Sequence, residues 1–315
     1  MDTSEQVLSG RLRRSRLSRA PAQVPSHGWL ALDGMFWRRL AQLGACHAPA
    51  SFVRWAPPVF GVAIAIAAPR ARRRIARELE RARGPVGAGR CAIDVACTFA
   101  NFASCLTEVL STGSKNAQIP RVSVHGKHRV EAILAAGRGV IFATAHTAGW
   151  ESMGPLLARE HDLRVMMVMQ RERDAAARAL NDSRRRAQGG LDIIHVGGDP
   201  LASLPLLRQL RDGGVVAMQV DRVPAGMSAR AVMLFGRPGA IPEGPLRLAQ
   251  LTGAPIVPVF SARIGHGRYA VYIREPVIVL RHADDSEIGT AAQEIADALG
   301  EFVSAHPTQW FPFHG

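Results

Sequence analysis

The chain has 315 residues, 47% of them hydrophobic, enough for one large buried core and too apolar for a disordered segment. A formal net charge of +13 points to an anionic partner: nucleic acid, an anionic membrane or an acidic protein. The four cysteines, Cys46, Cys91, Cys97 and Cys105, lack C-x-x-C spacing and read as reduced, buried thiols of a cytosolic compartment.

Residues 1–27 carry Arg11, Arg13, Arg14, Arg16 and Arg19 among Ser, Pro and Ala, the composition of a flexible basic tail. They contain no apolar core segment of a signal peptide. Residues 28–113 read as a helical, membrane-proximal segment, with Trp29, Leu32, Phe36, Trp37 and Leu40 at helical spacing. The longest apolar run, 60–68, is shorter than the ~20 residues of a spanning helix, and Pro57 and Pro58 break the segment before it. Pro69 can start a helix with Ile75 and Leu79 on one face and arginines over the rest. The stretch 91–110 is mostly apolar and predicts a core helix.

From about 114 to 315 the pattern becomes an alternation of strands and helices. The expected strands are 121–124, 139–144, 163–169, 192–195, 214–220, 231–235, 255–260 and 269–274. The expected helices are 127–136, 151–160, 172–187, 201–212, 243–252 and 286–304. This predicts an α/β domain with a mostly parallel mixed sheet flanked by helices, preceded by the N-terminal helical segment, with ligands near the strand ends.

Two stretches carry candidate chemistry. In GVIFATAHTAGWES, residues 139–152, a buried strand stops at His146, and Glu151 follows across a Gly-containing turn. Within one helix such positions lie about 140° apart, but across a turn they can meet. A neutral imidazole is a good base near pH 7, and a carboxylate on its other nitrogen fixes the tautomer and stabilises the imidazolium. No G-x-S-x-G elbow supplies a nucleophile, so the base would activate a hydroxyl of the substrate, with no covalent enzyme intermediate. The second stretch is 220–260. Asp221 and Arg222 stand at a strand end, and a Gly/Pro-rich loop carrying Arg237 leads through IPEGP, with Glu243, into a helix. Helix-start N–H groups and an arginine can hold a phosphate. Taken by residue type alone, a structural His–Glu pair and a solvated arginine remain the alternatives. The spacing does not match a zinc site.

HTAGWE matches the H-x4-D/E motif of the glycerolipid acyltransferase superfamily. FGRPGAIPEGPLRLAQLTGAPIVPVF and the C-terminal HPTQWFPFH resemble blocks of its lipid A acyltransferase branch, which includes lauroyl, myristoyl and phosphatidylinositol mannoside acyltransferases. The resemblance covers roughly 90–315. It implies His146 as general base, Glu151 as its partner, and Arg237 near a phosphate or head group. Asp221 and Arg222 match a pair seen in the mannoside acyltransferases and fall to the site wall. Oxyanion donors would come from backbone N–H groups near Gly149 or before the 243–252 helix. The implied reaction moves a fatty acyl chain from a thioester to a hydroxyl of a membrane lipid. No cofactor is bound in such a reaction; acyl-acyl carrier protein or acyl-CoA is the co-substrate. The expected partners are that donor and anionic membrane lipids, and no nucleic acid. The expected location is peripheral, on the cytoplasmic face of the bacterial inner membrane. A basic nucleic-acid-binding protein and an inactive scaffold of the same fold are the alternatives.

Overall fold

The computed structural model describes residues 35–112, 114, 115, 117, 119–151, 164–170, 191–196 and 203–313. The expected tail 1–27 and the expected helices 151–160 (beyond Glu151) and 172–187 lie outside these residues.

Four helices come first: α1 (Met35–His47), α2 (Ala50–Ala67), α3 (Pro69–Arg83) and α4 (Ala88–Leu110). The expected break at Pro57 and Pro58 does not occur. Both prolines lie inside α2, which buries Val53, Pro57, Gly61 and Ala65 along one i, i+4 stripe. Two internal prolines forfeit backbone hydrogen bonds, so packing against α4 must hold the helix together. The fit is close: a Cβ on Gly61 would stand 2.5 Å from the Phe99 carbonyl oxygen. The opposite side of α2 leaves Phe52, Trp55, Val59, Phe60 and Ile66 exposed. Helix α3 begins at Pro69 and buries Ile75, Leu79 and Ala82. The buried Asp94 of α4 receives Arg83 at 2.8 Å and Arg90 at 2.9 Å, joining α3 to α4. Of the four cysteines only Cys105 is buried; Cys97 is exposed and Cys46 and Cys91 lie between. The expectation of four buried thiols is therefore corrected: α4 turns one face outward with Cys97 on it, and Cys46 sits near the end of α1.

The sheet follows. Its strands are β1 (Arg121–His125), β2 (Val140–Thr144), β3 (Val165–Gln170), β4 (Leu191–Val196), β5 (Val215–Gln219), β8 (Ile256–Gly265) and β9 (Arg268–Ile273). Their order is β1-β9-β8-β2-β5-β3-β4, and every neighbouring pair is parallel except the β8–β9 hairpin. Helix α5 (Lys127–Ala135) separates β1 from β2, and α6 (Leu204–Arg211) precedes β5. Helices α7 (Gly244–Thr252) and α8 (Asp285–Ala305) complete the layers, and a short 3-10 turn spans Pro307–Gln309. Strand residues alternate between two cores. Ile141, Ala143, Val216, Met218 and Ile256 join α7 and α8 on one face. Val140, Phe142, Val215, Ala217 and Val257 join Val130 of α5 and Cys105 of α4 on the other. Burial on both faces explains the continuous apolar runs of β2, β5 and β8. Helix α8 starts on a capping box between Asp284 and Glu287 and buries Ile288, Ile295, Leu299, Phe302 and Val303, as its periodicity predicts.

One expectation is revised. The stretch read as strand 231–235 followed by a Gly/Pro-rich loop is a two-stranded hairpin, β6 (Ala229–Leu234) and β7 (Arg237–Pro242). Strand β7 tolerates Pro238 and Pro242 because, among the described residues, it pairs with β6 alone, so one edge needs no donors.

Candidate active site

Parallel pairing decides which residues meet. Thr144 of β2 is the register partner of Gln219 of β5. Two residues beyond each lie His146 and Asp221, at equal offsets on neighbouring strands that run ~4.8 Å apart. The imidazole Nδ1 stands 2.9 Å from Asp221 Oδ1 and 3.2 Å from Oδ2. The carboxylate that orients His146 is thus Asp221, 75 residues away. Among the described residues, no hydrogen bond joins His146 to Glu151. In the position expected for Glu151 beside the imidazole, the described residues place Asp221. Glu151 stands just past the turn, while the imidazole reaches across to the end of β5.

Asp221 is almost sealed from solvent, with 1% of its side chain exposed against 22% for His146. Burial alone would push its pKa up. The charge and hydrogen bond of His146, the Arg222 guanidinium and the Trp310 indole outweigh burial and hold it below the usual carboxylate range. Trp310 Nε1–H donates to Oδ2 at 3.1 Å. Arg222 Nε lies 3.9 Å from Oδ2 and 3.2 Å from His146 Nδ1. Ionised Asp221 is acceptor-only, so Nδ1 must carry the proton. Arg222 then acts on the pair through its charge, and whenever the imidazole is neutral its lone pair is on Nε2. Nε2 makes no hydrogen bond among the described residues, and the His146 ring meets Trp150 edge-on at 5.5 Å between centroids.

The C-terminal segment fixes the loop. Phe311 N–H donates to the His146 carbonyl and Ala148 N–H to the Gln309 carbonyl, both at 2.8 Å, around a Thr147–Trp310 bridge. From β8, Ser261 Oγ donates to the Ala148 carbonyl at 2.7 Å. Gly149 adopts φ +83°, and a Cβ there would meet the Tyr269 ring at 2.5 Å. The glycine lets the turn close over Tyr269, whose hydroxyl donates to Glu108 of α4.

The remaining expected residues are scattered around this centre. Arg237 is exposed at the start of β7. The turn before it holds Phe235 at φ +54° and Gly236 at φ +68°, a two-residue turn with both central residues left-handed. A left-handed phenylalanine is strained; its ring is retained by packing on Trp310, 5.3 Å between centroids. The hairpin tip therefore abuts the residue that holds Asp221. Glu243 stands at the N-cap of α7. Its carboxylate accepts Arg230 at 2.8 Å and Arg247 at 2.9 Å, tying β6 to the start of α7. Sequence reasoning missed Trp310 as a site residue; the QWF block held it, but nothing local marks its indole as a partner for β5. Among the described residues, no group of three or more His, Cys, Asp or Glu side chains is arranged to hold a metal ion.

A cavity of about 50 Å³ opens beside the loop at the carboxyl ends of the central strands. Phe142, Thr144, Thr147, Trp150, Met167 and Gln219 contribute to its wall. The arrangement can take a proton at Nε2 beside an apolar recess.

The chain is 27% identical over 195 residues to a phosphatidylinositol mannoside acyltransferase of Mycobacterium tuberculosis, covering 61% of this chain and 58% of the relative. A protein of the same name from Mycolicibacterium smegmatis is 25% identical over 179 residues, 56% of each chain. The chain thus spans somewhat over half the length of these curated relatives. The 1-acyl-sn-glycerophosphate acyltransferase PlsC of Thermotoga maritima aligns with 86% of this chain and 99% of its own, at 14% identity and a TM-score of 0.37. Residues 35–315 match the family described as bacterial lipid A biosynthesis acyltransferase, and the chain belongs to that family.

Proposed function

We propose that the chain is an O-acyltransferase that moves a fatty acyl group from a thioester to a hydroxyl of a membrane lipid or glycolipid. The observation that carries this reading is the His146–Asp221 pair, with Nδ1 bound to a sealed carboxylate and Nε2 left open at the sheet's carboxyl end. His146 takes the acceptor's proton as the hydroxyl oxygen attacks the thioester carbonyl, and Asp221 stabilises the imidazolium. The exposed Arg237, beside the hairpin tip, meets the anionic end of a substrate. Acyl-acyl carrier protein and acyl-CoA both fit the basic chain, since both donors are anionic. The protein works at the cytoplasmic face of the inner membrane. The exposed apolar side of α2 enters the head-group boundary, and the arginines of α3 meet anionic lipid. By length and composition alone, α2 and α4 are also apolar enough to cross a bilayer.

The test is to incubate the full chain with each donor and a bacterial polar lipid extract, and to follow new acyl esters by mass spectrometry. Wild type is expected to form them, and His146→Ala to lose about 10²–10⁴ in rate while keeping its fold. Near-normal turnover in His146→Ala would refute the mechanism.

A further inference from the structure

Gln219 ends β5, in register with Thr144 and two residues before Asp221. Its side chain lines the cavity beside the His146 loop, together with Thr144, Thr147 and Trp150. The amide Nε2 is buried and has no hydrogen-bond partner among the described residues. A buried amide donor left without an acceptor is destabilising, and most such groups in folded proteins are paired. Neighbouring polar groups leave it alone: the Thr144 hydroxyl donates to the Met218 carbonyl, and Thr147 Oγ1 accepts the Ser261 N–H. The next carboxylate along the strand, Asp221, is occupied by His146 and Trp310. A donor left unpaired among the described residues, on a side chain that lines a recess beside the loop of a general base, can turn with its amide to an acceptor that arrives with the substrate.

Resting on the acyl-transfer reading above, we infer that Gln219 is a further catalytic residue whose side-chain N–H binds the carbonyl oxygen of the acyl thioester as it becomes an oxyanion. The acceptor oxygen forms a bond to the thioester carbon, and its proton passes to His146 Nε2. The carbonyl π pair moves onto oxygen, where the Gln219 N–H donates to it. When that pair returns, the C–S bond breaks, and the leaving sulfur takes the proton from the imidazolium. The products are the ester and the free thiol, with His146 neutral again. A preorganised donor of this kind costs no reorganisation at the moment of reaction, and losing one typically lowers kcat by about 10²–10³.

Gln219→Met keeps the side chain's length and removes the donor. It is expected to lower kcat roughly 10²-fold with KM unchanged, and to raise or preserve the melting temperature, because an unpaired polar group leaves the interior. Loss of activity with gain of stability separates an oxyanion donor from a structural amide, whose removal would lower both. Gln219→Glu supplies a second measurement. As a neutral acid it donates; as a carboxylate it repels the oxyanion, so its deficit against wild type should shrink as pH falls. Each variant is assayed with the donor wild type uses, beside wild type and His146→Ala. An active wild type with an inactive His146→Ala upholds the acyl-transfer reading whatever Gln219 does. A Gln219→Met enzyme within threefold of wild-type kcat overturns the inference, as does one that loses melting temperature along with activity. If Gln219→Met does not fold, a pH-independent deficit in Gln219→Glu overturns it. A wild type inactive with both donors overturns both readings together.

Discussion

Two regions of the molecule depart from the usual sorting of residues in opposite senses. At the carboxyl end of the central strands a charged group is inside: Asp221 is sealed beneath His146, Arg222 and Trp310. On α2 large apolar groups are outside: Trp55 is 65% exposed and Ile66 71%. Buried polar groups and exposed apolar patches are the informative exceptions to burial by residue type. The first is held by directed bonds, so its value depends on tenths of an ångström. The second has no directed partner and only area to offer, so its value depends on how much of it leaves water. One site should respond to isosteric changes, the other only to changes in apolar area.

The sharpest break should come from Asp221→Asn. An asparagine can turn its NH2 toward Nδ1 and favour the tautomer with the proton on Nε2, which cannot act as a base. A loss of roughly 10³-fold in kcat is expected, with vesicle binding unchanged. The same variant tests the charge. Asp221 titrates below its ordinary value in the folded chain, so its ionised form stabilises the fold above the unfolded pKa of about 3.9. That contribution disappears as pH falls through the lower, folded pKa. The difference in melting temperature between wild type and Asp221→Asn should therefore be full near pH 6 and shrink toward pH 2. A pH-independent difference would show that the carboxylate is not held ionised by its neighbours.

Trp55→Ser combined with Phe60→Ser should do the reverse. Both side chains are exposed, so the fold should be unaffected. Each large apolar side chain is worth about 1.5–3 kcal/mol on full burial, so losing part of two should weaken anionic-vesicle sedimentation roughly tenfold or more. Turnover of a water-soluble acceptor analogue should not change. Equal sedimentation of variant and wild type would remove α2 from the lipid-facing surface.

The smallest expected effect refines the buried site. Trp310→Phe keeps the ring that supports Phe235 but deletes the N–H on Asp221. Hydrogen bonds to charged groups contribute about 1.5–3 kcal/mol, only part of which reaches the reaction barrier through Asp221. A fall in kcat of up to about tenfold, with KM unchanged, should follow. An unchanged kcat would confine Trp310 to packing.

Much of the fold was legible in the sequence. Apolar runs mark β2, β5 and β8, and the spacing of Ile288, Ile295, Leu299 and Phe302 marks α8, because both periodicities are local properties. The same is true of His146, which follows the β2 run directly. Strand β7 was not legible, since RPGAIP carries two prolines and is a strand only because β6 lies beside it. The continuity of α2 through Pro57 and Pro58 was hidden for a similar reason: the packing that permits it resides on α4. The partner of His146 is the clearest case. The chain offers Glu151 five residues on, and sequence distance favours it. The parallel register of β2 and β5 instead sets Asp221 beside the imidazole, and Trp310, 89 residues further on, fixes it there. Sequence determines which residues can act as base, acid or donor. Which of them meet is decided by strand order and register, because these bring positions of equal offset on neighbouring strands within hydrogen-bonding reach however far apart they stand in the chain.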